Sequence, residues 1–247
     1  NDIYTHISGI DLIRNEEGKF FVLEDNLRTP SGVSYMLENR EITRRLYPEM
    51  IPREKVQPIS DYPNLLYNKL KSLSNKKNPV VVMLTPGLYN SAYYEHTALA
   101  RLMGVELVEG SDLLVDNHYV FMKTAGGLKT VDVIYRRIDD DFLDPLNFKA
   151  DSVLGVAGIM DSFRQGNVVL VNCPGAGIAD DKAIYTYVPD MISYYLNEKP
   201  ILNNIKTYKL TNKDEKEYVL KNIDKLVLKR TDAVSYTHLT LPTKVTV

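Results

Sequence analysis

Apolar and polar positions are arranged in recognisable runs along the chain. Ile10-Asp11-Leu12-Ile13-Arg14 and Phe20-Phe21-Val22-Leu23 are short apolar stretches around Asn15-Glu16-Glu17-Gly18. That pattern predicts a hairpin, with Gly18 free to take positive φ in the turn. Residues 30–46 read as a loop leading into a helix, with Ser34 as its cap and Met36, Leu37, Ile42 and Leu46 as its apolar positions. Four prolines between 48 and 63 mark a connector, and residues 65–73 predict a second helix. Residues 79–85 are continuously apolar, as in a parallel strand covered on both faces. Pro86-Gly87 turns the chain, residues 93–103 are helical, and residues 105–108 form the next strand. This β-α-β unit predicts an open α/β domain, whose ligands gather beyond the carboxyl ends of the strands. Further on, the pattern gives a hairpin around Asp116-Asn117, a strand over 131–136 and a last central strand over 168–172. The turn Pro174-Gly175-Ala176-Gly177 then leads to Asp180-Asp181-Lys182 and a helix from Ala183. A connector over 201–210, a helix over 213–223 and a strand over 226–229 follow.

The chemistry concentrates after the first hairpin, in Leu23-Glu24-Asp25-Asn26-Leu27-Arg28. Side chains alternate along a strand, so Glu24 and Asn26 share a face. A carboxylate and an amide oxygen side by side are hard ligands of the kind that hold magnesium against phosphates. The guanidinium of Arg28 suits phosphate or acyl-phosphate oxygens. If Arg14 pairs with Lys19, Asp11 lies opposite Val22, on the face of Glu24 and one diagonal step away, roughly 7–8 Å. A slip of one residue would send Asp11 to the other face. The alternative is a charged, solvated hairpin end.

Composition narrows the class. The chain has 247 residues and is 44% hydrophobic, ordinary for a globular chain. A net charge of −2 gives no broad attraction to nucleic acid or membrane. No apolar run approaches the ~20 residues that span a bilayer. A single cysteine, Cys173, excludes an intramolecular disulfide framework and fits a reducing, cytoplasmic setting. The four histidines form no metal-ligand spacing, no Gly-x-Ser-x-Gly occurs, and the turn after residue 85 is not a Walker loop.

His6-Ile7-Ser8-Gly9-Ile10-Asp11, the run from Glu24 to Gly32, and Val33 to Arg40 together resemble the circularly permuted ATP-grasp proteins of type 2, relatives of glutathionylspermidine synthetase-like ligases. The likeness continues through Val80 to Gly87, Ile134 to Asp141, and Asn172 to Lys182, and covers residues 1–233. It implies a circularly permuted ATP-grasp fold with an open, mainly parallel-sheet pre-ATP-grasp domain. By motif, Glu24 and Asn26 match the family's metal ligands, Asp11 the neighbouring acid, and Arg28 the arginine at the phosphate or acyl intermediate. Lys229 matches the nucleotide lysine, and Asp232 the acid that starts the glycine-rich loop. Arg136, Arg137, Asp139 and Asp180 become candidates for contact with substrate. For the arginines the alternative is ion pairing with the adjacent aspartates.

The domains expected from this resemblance are a permuted catalytic segment over 1–52, a pre-ATP-grasp-like α/β domain over 53–205, and the start of the remaining ATP-grasp core over 206–233. After Ala233 the pattern departs: residues 234–247 contain no glycine and resemble translated sequencing-adapter sequence, so they are expected to be a non-native tail. The resemblance implies an ATP- and Mg2+-dependent carboxylate–amine ligase acting through an acyl phosphate. Its substrates would be a small-molecule or peptide carboxylate and an amine. A chain cut before the glycine-rich loop is expected to be inactive by itself. The competing reading is a non-catalytic α/β module over 79–200 that binds a small molecule or peptide. A glycine-rich loop following Asp232 in the genomic sequence favours the first reading, and a natural stop codon there the second.

Overall fold

The computed structural model describes residues 3–53 and 55–231. The described residues divide into two compact units, one drawn from residues 3–7, 29–53 and 55–175, the other from residues 8–28 and 176–231. These breaks follow packing, whereas the segments expected at 1–52, 53–205 and 206–233 follow function. The strands among the described residues are β1 Gly9–Arg14, β2 Phe20–Asn26, β3 Val81–Leu84, β4 Glu106–Val108, β5 Leu113–Asp116, β6 Tyr119–Thr124, β7 Gly127–Thr130, β8 Val133–Arg136, β9 Val169–Val171 and β10 Asn203–Asn204.

The larger unit is built on a parallel sheet in the order β4-β3-β8-β9. Every residue of β3 and β8 is buried. The reason is visible in the alternation. Val82, Leu84, Ile134 and Leu170 face one apolar cluster with Leu143, Ile159 and Val120. Val81, Met83, Val133 and Val171 face the other, with Leu66, Leu70, Leu99 and Met103 from the helices Tyr62–Lys71 and Tyr93–Met103. A strand covered on both faces has no use for polar positions, which is why residues 79–85 read as one apolar run. At roughly 1.5–3 kcal/mol for each large apolar side chain fully buried, these strands dominate the unit's stability.

A second, antiparallel sheet, β5-β6-β7, belongs to the same unit. Its first turn places Asn117 at φ 46 and His118 at φ 66, with Asp116 paired to Tyr119. Two left-handed residues in a two-residue loop match the twist of the flanking strands, as the Asp116-Asn117 signal suggested. β7 was not legible, because Gly127-Leu128-Lys129-Thr130 carries a single large apolar residue. The helix Val33–Leu46 is preceded by Gly32 at φ 112, and Ser34 is not its cap. The amides of Gly32 and Ser34 instead donate to Oε2 of Glu95, at 2.7 and 3.1 Å.

The smaller unit carries the sheet β1-β2-β10, with β1 antiparallel and β10 parallel to β2. The turn between β1 and β2 is longer than expected. The amide of Asn15 donates to the carbonyl of Lys19 at 2.9 Å, and the Asn15 side chain accepts from the amide of Lys19 at 2.8 Å, with Gly18 at φ 82. Arg14 therefore pairs with Phe20, not Lys19. Continued unbroken, that one-residue slip would oppose Asp11 to Leu23 and turn it away from Glu24. A β-bulge intervenes: Leu12 pairs with Val22, Asp11 pairs with Glu24, and Leu23 is left as the extra residue. The expected pairing of Asp11 with Val22 is thus corrected, and the two acids are direct partners. The strand expected over 226–229 is reduced to a single bridge at Leu228. Among the described residues no helix is long and apolar enough to cross a membrane. Asp232 and residues 234–247 lie outside the described residues.

Candidate functional site

β2 delivers Glu24 into the interior of the smaller unit, where it is 5% exposed. A buried carboxylate needs counter-charge. Two lysines supply it: Nζ of Lys182 and Nζ of Lys229 each lie 3.4 Å from Glu24 Oε2. Lys182 opens the short helix Lys182–Tyr185, whose first turn is fixed by the Asp181 carboxylate accepting from the amides of Ala183 and Ile184. Across the hairpin, Asp11 is pushed above the usual carboxylate range by burial and then by the charge and hydrogen bond of Glu24, with Lys229 pulling the other way. Asn26 follows Glu24 by two residues and pairs with Gly9, so its face is uncrowded by a partner side chain.

The other predicted residues of this unit, Arg28 and Asp180, also meet. Asp180 Oδ1 accepts from the amide of Leu27 at 2.5 Å and from that of Arg28 at 3.2 Å, and Oδ2 accepts from the latter at 3.3 Å. Asp180 is therefore a clamp on the end of β2. Burial, and then the charge of Asp180, raise the pKa of Asp25, which alternates to the face opposite Glu24. The hydroxyl of Tyr185 donates to the carbonyl of Val22 at 2.6 Å and accepts from the amide of Ile205 at 2.9 Å, bracing β2 from its other edge.

Arg136, Arg137 and Asp139 fall in the larger unit. Arg136 is wholly buried and donates to the carbonyls of Asn172 (2.7 Å), Ile138 (2.8 Å) and Cys173 (3.3 Å), while pairing with Asp140 at 2.6 Å. Arg136 thus pairs within the aspartate cluster, one of its two expected readings. Arg137 pairs instead with buried Glu95 at 3.4 Å, donates to Pro30 O at 2.6 Å and lies against the Tyr135 ring. Asp139 is exposed and precedes the short helix Asp140–Leu143.

Sequence reasoning passed over Lys182 and Glu95, and left His96 with a structural or exposed role. His96 is buried, its Nδ1 lies 2.8 Å from Thr85 Oγ1, and burial followed by the charge of Arg137 lowers its pKa to about 3. A signal existed: His96, Leu99, Ala100 and Met103 are spaced as one helical face, so His96 was placed for the core. For Lys182 the cue was its position directly after the glycine turn and a capping aspartate.

A magnesium ion fits the hairpin donors on chemical grounds. Among the described residues no three His, Cys, Asp or Glu side chains are grouped to hold a metal. Magnesium needs less than that, because it is commonly bound by one or two carboxylates together with substrate phosphates. Two facing acids, with an amide next along the strand, supply oxygens of that kind, while the two lysines at Glu24 supply counter-charge and no ligand.

Fold and site together define an α/β protein with a buried acid–lysine cluster on a bulged hairpin. The chain belongs to the circularly permuted ATP-grasp family, whose model, described as a circularly permuted ATPgrasp, matches residues 1–244. The matching model is the type 1 model, so the family agrees with the motifs and the type number differs. An uncharacterized protein of Synechocystis sp. is 53% identical over 229 residues, covering 92% of this chain and 48% of that protein. An uncharacterized protein of Mycobacterium tuberculosis is 55% identical over 231 residues, covering 93% and 42% respectively. A Frankia alni protein, provisionally named a glutamate–cysteine ligase, is 42% identical over 228 residues, covering 91% of this chain and 26% of its own length. The chain thus spans about half the length of the first two relatives.

Proposed function

We propose that the whole protein is an ATP- and Mg2+-dependent carboxylate–amine ligase that forms an amide through an acyl phosphate. The observation that carries this reading is the direct opposition of Asp11 and Glu24, with Lys182 and Lys229 both at the Glu24 carboxylate. Family membership supports the reaction class.

In this reading, Asp11, Glu24 and Asn26 are the residues that hold magnesium. The ion, when bound, supplies positive charge that offsets charge on the phosphates. Lys229 and Lys182 exchange part of their contact with Glu24 for phosphate oxygens of ATP, which fixes the nucleotide. A substrate carboxylate oxygen then bonds to the γ-phosphorus as the bond to ADP breaks. Arg28 steadies the resulting acyl phosphate. The amine nitrogen bonds to the acyl carbon, inorganic phosphate leaves, and the nitrogen gives up a proton. Positioning supplies much of the acceleration in such transfers.

The substrates in this proposal are a small-molecule or peptide carboxylate and an amine, and a cytoplasmic setting supplies the ATP. The Frankia relative's provisional name makes glutamate and cysteine the first pair to try. The test is ATP-dependent release of phosphate by the whole protein, with magnesium and a panel of amino acids. Loss of turnover in Glu24→Ala supports the reading, and unchanged magnesium-dependent turnover in that variant defeats it.

A further inference from the structure

We infer that Gly177 is a positioning residue for Arg28, and that the turn Ala176–Asp180 seats that guanidinium. This deepens the proposed ligase reading and rests on its assignment of Arg28. The turn invites a different interpretation, that its backbone amides cradle an anion. The packing points elsewhere. Gly177 is buried, and a Cβ added there would lie 2.8 Å from Arg28 Nη2, 2.9 Å from Cζ, and closer still to Nε. Any side chain at 177 must displace the guanidinium. The glycine carries no left-handed φ, whereas Gly175 in the same turn has φ 90. Conformational freedom therefore accounts for Gly175, and space for Arg28 accounts for Gly177.

The same turn holds the backbone beneath that side chain. Asp180 accepts from the amides of Leu27 and Arg28. One end of Ala176–Asp180 thus grips the main chain of residue 28, and the other makes room for its side chain. A guanidinium whose backbone is held and whose seat is kept clear is pre-organised for an oxyanion.

The test is a double-mutant cycle in the whole protein, read by magnesium-dependent ATP turnover and by thermal midpoint. Gly177→Ala should lower kcat on the order of 100-fold, the scale of a misplaced catalytic group, while KM for Mg-ATP stays within about 2-fold. Arg28→Ala removes the side chain that the new methyl would strike. Adding Gly177→Ala to Arg28→Ala should therefore cost nothing further in either readout. Asp180→Asn should lower kcat in the same sense. If Gly177→Ala alone does not fold, the double variant should fold, since the clash is gone. Additive losses, a double variant as unstable as the sum of the singles, or Gly177→Ala with wild-type kcat would overturn the inference. Full turnover in Arg28→Ala would instead remove Arg28 from the ligase reading, and the thermal cycle would still decide the packing claim separately.

Discussion

Asp11 faces Glu24 across the hairpin because β2 carries one extra residue, Leu23. Two departures from a plain hairpin add up. The longer turn slips the register by one and the bulge adds one more in the same direction, so the total shift is two residues and both acids stay on one face. Like charges opposite each other on a sheet are unfavourable, and a compensating cation is needed. Lys182 and Lys229 provide it at Glu24.

Removing the Glu24 charge should therefore destabilise the smaller unit. Glu24→Gln keeps the shape but leaves two lysines, with side chains 15% and 22% exposed, facing a neutral amide. Breaking a buried pair costs about 3–5 kcal/mol, and the partial exposure of both lysines puts this case at or below the lower end. Chemical denaturation monitored by circular dichroism checks it. A midpoint equal to wild type would show that the lysines are solvated well enough to need no partner.

Acid should weaken the larger unit through His96. Its folded pKa is about 3, well below the ordinary value of 6.5, so burial holds the ring neutral. The native state then binds fewer protons than the unfolded chain between those values. Stability from this group is fully present above pH 6.5 and is lost progressively as pH falls toward 3. Replacing His96 by Gln should flatten that part of the stability–pH curve. NMR titration of the ring gives the independent check: a ring that protonates near pH 6 would contradict the assignment.

The hairpin and the central strands were legible because each rests on a local period. Register was not, since Asn15 closes a five-residue turn through its own side chain, and Leu23 differs in no sequence property from a paired strand residue. The arginines show a second limit. Arg136 and Arg137 stand next to three aspartates in sequence; Arg136 pairs with Asp140, whereas Arg137 finds Glu95, forty-two residues away, because the Tyr93–Met103 helix turns that acid inward. Local charge pattern carries no information about such pairs.

Arg136 should behave as a structural brace. Arg136→Leu would strand the carbonyls of Asn172, Ile138 and Cys173 and the carboxylate of Asp140 in a buried site. Each orphaned group costs about 1–3 kcal/mol, so the variant should lose several kcal/mol or fail to accumulate as folded protein. Arg136→Lys reaches fewer acceptors and should fall between the two. A variant that keeps wild-type stability while losing substrate affinity would move Arg136 from brace to ligand.

The two lysines at Glu24 separate counter-ion from nucleotide contact. If their task were only to neutralise Glu24, removing either would cost stability, and Mg-ATP affinity would change little. In the proposed ligase they also engage phosphate, and a charge-assisted hydrogen bond contributes roughly 1.5–3 kcal/mol. Lys229→Ala or Lys182→Ala should then weaken Mg-ATP binding by about 10- to 100-fold. Pairing either change with Glu24→Gln sharpens the distinction. The stability cost of the lysine change should shrink in that background, because the buried pair is already broken, while the loss of nucleotide affinity from the missing ammonium should persist. Calorimetric titration with Mg-ADP, which needs no knowledge of the acceptor, measures the affinity, and denaturation of the same variants measures the pair. Equal affinities across the set would leave both lysines as counter-ions and place the phosphates elsewhere.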